Sequence, residues 1–273
     1  MCGTCGCGSD ENEVTILKPG ETHSHDHDHD GHSHSHDHGH DHHHGNDHSH
    51  SHGENHSHPK TVIELERDIL QNNQVLAARN RGYFEAKDIL AINLVSSPGS
   101  GKTSILERTL ADLKKEITFN VIEGDQQTFN DANRIDALNI PVVQVNTGRG
   151  CHLESDMIYD AVKKLEPADR SVLMIENVGN LVCPSMFDLG EGKRVVIISI
   201  TEGEDKPIKY PDMFLSSDVC IINKMDLLPH LNFDLDKLKQ YAMQVNHHLT
   251  FFEVSATTGE GMDKWYEWLK SNL

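Results

Sequence analysis

The first sixty residues hold almost nothing apolar. Of the set AVILMFWYC only Met1, Cys2, Cys5, Cys7, Val14, Ile16 and Leu17 occur there. A stretch so poor in apolar side chains cannot bury enough surface to offset its chain entropy, which excludes a packed core before residue 61. Basic residues are scarce too: 24 Lys and Arg stand against 43 Asp and Glu, a formal net charge of −19. A body that acidic repels phosphate backbones, so nucleic acid is excluded as a partner. No apolar run approaches the ~18 residues of a membrane span, which excludes a membrane partner. Met1 does not open a basic region followed by an apolar one, so no secretory signal is read and the expected location is the cytoplasm. Cysteine is sparse, six in 273 residues. In a reducing compartment its clustering points to metal or redox chemistry before disulfides.

What the opening segment does contain is metal ligands. The chain begins Met1-Cys2-Gly3-Thr4-Cys5-Gly6-Cys7-Gly8, three thiols spaced by glycines that let the backbone wrap freely. Thiolates are soft ligands suited to nickel, zinc and copper(I); with the initiator methionine removed, the Cys2 amine adds a fourth donor, and a square-planar set favours nickel. The competing reading, a C-x-x-C redox pair, lacks the strand–helix context that tunes such a pair. From His23 to His58 run seventeen histidines among Asp, Ser and Gly. Unprotonated imidazole binds nickel, zinc and copper, and many exchangeable sites make a reservoir. Residues 1–60 are therefore expected to be a disordered, metal-binding tail, and residues 61–273 a G domain.

In the body, Val62, Leu65, Ile69 and Leu76 predict an amphipathic helix over 61–81. Seven apolar strands are expected at 89–95, 118–123, 142–146, 172–176, 195–200, 219–223 and 251–255, alternating with helical patterns. Alternation of this kind predicts an α/β fold, a mainly parallel sheet flanked by helices, with ligands beyond the carboxyl ends of the strands.

The first of those strands runs into Ser96-Ser97-Pro98-Gly99-Ser100-Gly101-Lys102-Thr103-Ser104, a phosphate-binding loop with Ser96 in place of the first glycine. Gly99, Ser100, Gly101 and Ser104 belong to the cradle, Lys102 reaches the terminal phosphates and the Thr103 hydroxyl ligates Mg2+. Asn223-Lys224-Met225-Asp226 follows a later strand. Its carboxylate can accept two hydrogen bonds from guanine that adenine does not offer. Ser255-Ala256 suits the loop whose amide meets the guanine oxygen. Together the three specify GTP as substrate. Glu176 ends a strand where a Mg2+-facing carboxylate is wanted, Gly179 can bond the γ-phosphate, and Asp125 can hold Mg2+ or position the attacking water, although helix capping competes for it.

Cys151 and His152 lie at the end of the 142–146 strand, and Cys183 lies four residues after Gly179. Two thiolates and an imidazole suit Zn2+ or Ni2+. Cys220, inside an apolar strand, is read as ordinary core. The closeness of Cys183 to the Glu176–Gly179 loop predicts that nucleotide state and metal occupancy answer to each other. Leu227 and Leu231, beside Pro229, are a candidate dimer contact, with packing under the next helix as the alternative.

The amino-terminal cysteines, the histidine tract, Ser97–Thr103, Gly150–Leu153, Glu176–Pro184 and Asn223–Asp226 together resemble the HypB family of GTPases that help insert nickel into [NiFe] hydrogenase. The resemblance covers essentially the whole chain. It implies a SIMIBI-type P-loop NTPase that forms a GTP-dependent homodimer. It further implies tight nickel binding at Cys2, Cys5 and Cys7, and a nickel or zinc site at Cys151, His152 and Cys183 near the subunit contact. The partners it implies are a HypA-type nickel chaperone and the hydrogenase large-subunit precursor. In that scheme the tail gathers nickel, the G domain receives it and hydrolysis releases it. A urease-type or zinc-delivery GTPase, a metal store with a vestigial GTPase, and a signalling GTPase are the alternatives.

Overall fold

The computed structural model describes residues 14–21, 61–125 and 130–273. The eight strands are β1 (Thr15–Leu17), β2 (Leu90–Ser96), β3 (Phe119–Asp125), β4 (Val142–Asn146), β5 (Val172–Glu176), β6 (Lys193–Ser199), β7 (Val219–Asn223) and β8 (Thr250–Glu253). Around them lie α1 (Val62–Ala86), α2 (Lys102–Leu113), α3 (Asn130–Asp136), α4 (Ser155–Leu165), α5 (Cys183–Met186), α6 (Lys206–Lys209), α7 (Pro211–Leu215), α8 (Leu235–Val245) and α9 (Met262–Ser271). One sheet results, in the order β1-β4-β3-β5-β2-β6-β7-β8. Every pairing from β4 to β8 is parallel, and β1 alone runs antiparallel, against β4.

The seven expected strands all form; β2 to β7 are largely buried apolar runs covered on both faces, while the edge strand β8 leaves Thr250 and Glu253 exposed. One core layer joins Leu94, Leu106, Leu110, Phe252 and Trp265 beneath α2 and α9. On the opposite face, Phe84, Ile122, Ile158 and Leu173 pack under α1 and α4. Beside them, Val196, Phe214, Ile222 and Leu238 pack under α7 and α8.

Two expectations need correction. Residues 1–60 do not lack packed structure throughout: Thr15–Leu17 adds a strand to the exposed edge of β4, and Ile16 rests on the core layer beneath α1 and α4. Three residues with two apolar side chains carry too weak a pattern to be read alone; the open edge supplies the missing hydrogen-bond partners. The apolar stripe of α1 is also not its buried face. The helix starts from a capping box, with Glu64 N donating to Thr61 Oγ1 and Thr61 N to Glu64 Oε2. Its buried residues are Asn73, Ala77, Asn80 and Phe84, while Val62, Leu65 and Ile69 are exposed. The two asparagines are buried because they satisfy carbonyls: Asn73 Nδ2 donates to Asp188 O and Asn80 Nδ2 to Ser155 O and Leu189 O.

Candidate functional site

The phosphate loop joins β2 to α2, and its two glycines take left-handed conformations, φ 77° at Gly99 and 91° at Gly101. A Cβ at Gly101 would overlap Asn223 Nδ2, so both the backbone and the neighbour require glycine there. Asn223 holds three loops together. Its Nδ2 donates to Ser100 O at 2.9 Å and its Oδ1 accepts from Ala256 N at 3.2 Å. Lys224, itself left-handed at φ 65°, donates from Nζ to Gly99 O at 2.7 Å. Ser255 Oγ donates to Asp226 Oδ1 at 2.5 Å, fixing the carboxylate. Thus the structure brings Asn223, Lys224, Asp226, Ser255 and Ala256, the residues expected to recognise the base, into one corner hinged to the phosphate loop.

At the other end of the loop, Lys102 Nζ lies 2.6 Å from Glu176 Oε1, and Thr103 Oγ1 donates to the same oxygen at 2.7 Å. Glu176 is almost fully buried, and its Oε2 has no hydrogen-bond partner. Ser100 Oγ and Glu123 Oε2 are likewise buried without partners. Orphaned buried oxygens beside a lysine and a threonine hydroxyl fit a phosphate group with a bound Mg2+, which would satisfy them. Gly179 lies against Pro98, 3.4 Å from a Cβ built on it, so the loop after β5 touches the phosphate loop directly. Asp125 ends β3, and its carbonyl accepts Thr147 N at 2.9 Å.

Two acidic residues here carry no assigned role in the sequence reading, although Glu123 belongs to the acidic strand end that leads to Asp125. Glu123 sits in register with Glu176 across β3 and β5 and with Gln144 across β3 and β4. Burial, and then the charge of Glu176, push its carboxyl up to about 9. Asp131, at the start of α3, brings Oδ2 to 3.4 Å from Thr103 Oγ1. A glutamate in an apolar strand was a usable signal for Glu123; Asp131 offered none, because only tertiary packing brings α3 to α2.

The second cluster forms where β4 and β5 end. Cys151 Sγ and Cys183 Sγ are 2.8 Å apart, and Cys151 Sγ is 3.7 Å from His152 Nδ1. The three ligand atoms all lie within 4.8 Å of one another. Cys183 opens the short helix α5, with Pro184 behind it. The His152 ring stacks on Phe187, centroids 3.9 Å apart. Its Nε2 faces Glu154 Oε1 at 3.3 Å, an alignment too poor for a proper hydrogen bond. Soft sulfurs with an imidazole fit a nickel or zinc ion. Cys220 is buried in β7 among the core, and burial raises its thiol far above the usual range.

A model described as CobW/HypB/UreG, nucleotide-binding domain, matches residues 90–253. The hydrogenase maturation factor HypB of Rhizobium leguminosarum is 55% identical over 209 residues, covering 77% of this chain and 70% of the relative. The chain belongs to the HypB family. Among solved structures, HypB from Archaeoglobus fulgidus is 37% identical with a TM-score of 0.69, over 74% of this chain and 98% of that one. HypB from Helicobacter pylori in complex with nickel is 37% identical with a TM-score of 0.68, over 73% and 94%. The fold is that of a P-loop NTPase, as the HypB resemblance implies.

The remaining site residues of the HypB reading divide. Leu227 packs against the core layer under α8, whereas Leu231 is exposed. Cys2, Cys5, Cys7 and the histidine tract lie outside the described residues. Among the described residues no helix is long and apolar enough to cross a membrane.

Proposed function

We propose that the protein hydrolyses GTP and couples that cycle to the binding and release of nickel for a hydrogenase precursor. Asp226, oriented by Ser255, accepts the guanine N1 and exocyclic amine protons. Lys224 spans from the base corner to the phosphate loop. Lys102 supports the terminal phosphates, and Thr103, Glu176 and Asp125 are the residues that would hold Mg2+, which when bound neutralises charge on the phosphates. Lys102 exchanges its contact with Glu176 for the phosphate. Gly179, lying against Pro98, places its amide to sense the γ-phosphate, and Asp125, as the alternative to holding Mg2+, positions the attacking water.

Cys151, His152 and Cys183 receive the nickel, with zinc as the alternative occupant, and Cys2, Cys5, Cys7 and the histidine tract gather and store it. GTP favours a homodimer, with exposed Leu231 as a contact, and a HypA-type chaperone and the hydrogenase large-subunit precursor are the partners. All of this is assigned to the cytoplasm.

The observation that carries this reading is a hydrogen bond. Asn177, next to Glu176, accepts Leu153 N at 3.2 Å through Oδ1, tying the nucleotide loop to the loop of Cys151 and His152. Two sites joined this way bias each other reciprocally. The test is nickel affinity of the full chain with GDP and with a non-hydrolysable GTP analogue, beside its oligomeric mass. A several-fold difference that disappears in Cys183→Ala is expected. Equal affinities in both nucleotide states would sink the coupling, and GTP turnover unchanged by Lys102→Ala would sink the enzyme.

A further inference from the structure

Strand β3 separates β4 from β5, so two loops must lean across its end before Cys151 and Cys183 can meet. Both are held there by bonds that involve neither thiol. On the first loop, Gly150 N donates to Thr147 O at 2.8 Å and Thr147 Oγ1 donates to Gly150 O at 2.8 Å, a closed turn that delivers the chain to Cys151. On the second, buried Arg194 donates to Ser185 O at 3.3 Å and to Phe187 O at 2.9 Å, fixing the short helix that Cys183 opens. Asn180 joins the two loops, its Nδ2 donating to Cys151 O at 3.4 Å and its Oδ1 accepting from Val182 N at 2.8 Å. What this framework holds is a contact between thiols, with Cys151 Sγ donating to Cys183 Sγ at 2.8 Å.

A disulfide bond is about 2.05 Å long, so the two sulfurs stand within ~0.8 Å of bonding distance. Sulfurs so placed share a proton, share an ion or bond to one another. The first state is the one observed, the second is the metal reading of the cluster, and the third follows when an oxidant reaches them. Exposure divides the roles: Cys151 is half-buried and Cys183 is buried. An exchange reagent therefore meets Cys151 first, and Cys183 already lies against its sulfur. The other described cysteine, Cys220, is fully buried among the core residues of β7 and takes no part.

We propose that Cys151 is a site of thiol–disulfide exchange and Cys183 its resolving thiol, so that a small-molecule disulfide closes a Cys151–Cys183 bond. In the first step the Cys151 sulfur attacks the reagent RS–SR, its S–S bond breaks, and one RSH leaves with the Cys151 proton. In the second the Cys183 sulfur attacks the Cys151 sulfur, the mixed disulfide breaks, and another RSH leaves with the Cys183 proton. Two electrons pass from the protein to the reagent, and excess RSH reverses both steps. The second step joins groups already in contact, which outpaces attack by a free thiol. A closed pair has no thiolate to offer an ion, so disulfide and metal exclude one another at this cluster. That exclusion rests on the metal reading of the cluster, whereas the bond itself does not.

The metal-free full-length chain, beside a triple variant carrying Cys2→Ser, Cys5→Ser and Cys7→Ser, is incubated with oxidised glutathione, quenched in acid, alkylated and digested with trypsin. Cleavage after Arg149, Lys163, Arg170 and Lys193 puts Cys151 and Cys183 on different peptides, so mass spectrometry reads the link directly. The linked pair is expected as the main product in both proteins, with glutathione on Cys151 only in passing. In Cys183→Ser that adduct should persist, at least ~10-fold more abundant than in the parent, and in Cys151→Ser the buried Cys183 should react at least ~10-fold more slowly. No link in the parent, or a Cys151 adduct as abundant there as in Cys183→Ser, overturns the pair. In a second arm, one equivalent of Ni2+ or Zn2+ is given to the triple variant before the oxidant. The ion should lower the yield of the link at least ~10-fold, and the oxidised variant should bind at least ~10-fold less of it until dithiothreitol restores binding. A link that forms regardless of the ion, in a protein that binds the ion equally in both states, would uphold the pair and overturn the metal assignment of the cluster.

Discussion

Asn177 and Leu153 are joined by a 3.2 Å hydrogen bond from the Leu153 backbone to the Asn177 side chain. Asn177 is fully buried, its own amide nitrogen donates to Asn93 Oδ1 at 3.3 Å, and its backbone N–H extends the ladder to Leu94 O. It therefore has no freedom to follow the nucleotide loop without pulling on Leu153. The Leu153 side chain packs over Gly124, where a Cβ would collide with it. A movement of the loop after Glu176 would thus have a packed, hydrogen-bonded route to the residue directly following His152.

Replacing Asn177 by Ala leaves Leu153 N buried without an acceptor, at a cost of about 1–3 kcal/mol. The expected outcome is a folded protein whose nickel affinity no longer depends on whether GDP or a GTP analogue is bound. Calorimetric titration in the two nucleotide states checks it; a preserved difference would show that coupling runs by another route.

Asp226→Asn removes a charged acceptor from guanine and offers an amide donor in its place. Loss of hydrogen bonds to a charged group, about 1.5–3 kcal/mol each, predicts at least ~10-fold weaker GTP binding. Xanthine, which presents a carbonyl where guanine has an amine, should gain relative to guanine. Competition between GTP and XTP decides the matter, and unchanged preference would argue against this base corner.

Glu123 gives a pH signature. Its carboxyl rises from an ordinary 4.5 to about 9 in the nucleotide-free fold. Between those values the native state keeps a proton that the unfolded chain has lost, so stability falls as pH rises through the window, by about 1.4 kcal/mol per unit. Below the unfolded value this contribution is fully present. Glu123→Gln should flatten the dependence. Urea unfolding at pH 5.5, 6.5 and 7.5 tests this, and parallel profiles for parent and variant would contradict it.

Glu154 stands at the N-cap of α4 yet makes no side-chain capping bond; its carboxylate faces His152 Nε2 instead. A metal at Nδ1, the nitrogen facing Cys151, would leave the proton on Nε2, where the Glu154 carboxylate could turn to accept it. Glu154→Ala is expected to weaken Ni2+ or Zn2+ binding at this cluster by about 10- to 100-fold, with Glu154→Gln recovering part of the loss. A midpoint unmoved in the thiolate-to-metal absorption of a chain lacking Cys2, Cys5 and Cys7 would remove the role.

Much of this molecule could be read without its structure. The apolar runs of β2 through β7 declare a sheet covered on both faces, and the phosphate loop and the Asn223–Asp226 element announce themselves by spacing, because their chemistry is local: glycines where the backbone turns, a lysine and a threonine on the first turn of a helix. The periodic stripe of α1 misled, since Val62, Leu65 and Ile69 are exposed while Asn73 and Asn80 are buried. Hydrophobicity alone does not register an asparagine buried to satisfy a carbonyl.

Residue order by itself therefore determined the fold class, the nucleotide-loop motifs and the three candidate metal donors. Only the folded chain decided that Cys151, His152 and Cys183 converge, that Glu123 and Asp131 face the phosphate corner, and that Thr15–Leu17 closes the sheet edge beside them. The division has one cause. Strand and loop propensities are short-range properties of neighbouring residues, whereas convergence depends on strand order, and β3 lies between β4 and β5 because of how whole helices pack, a choice no local pattern encodes.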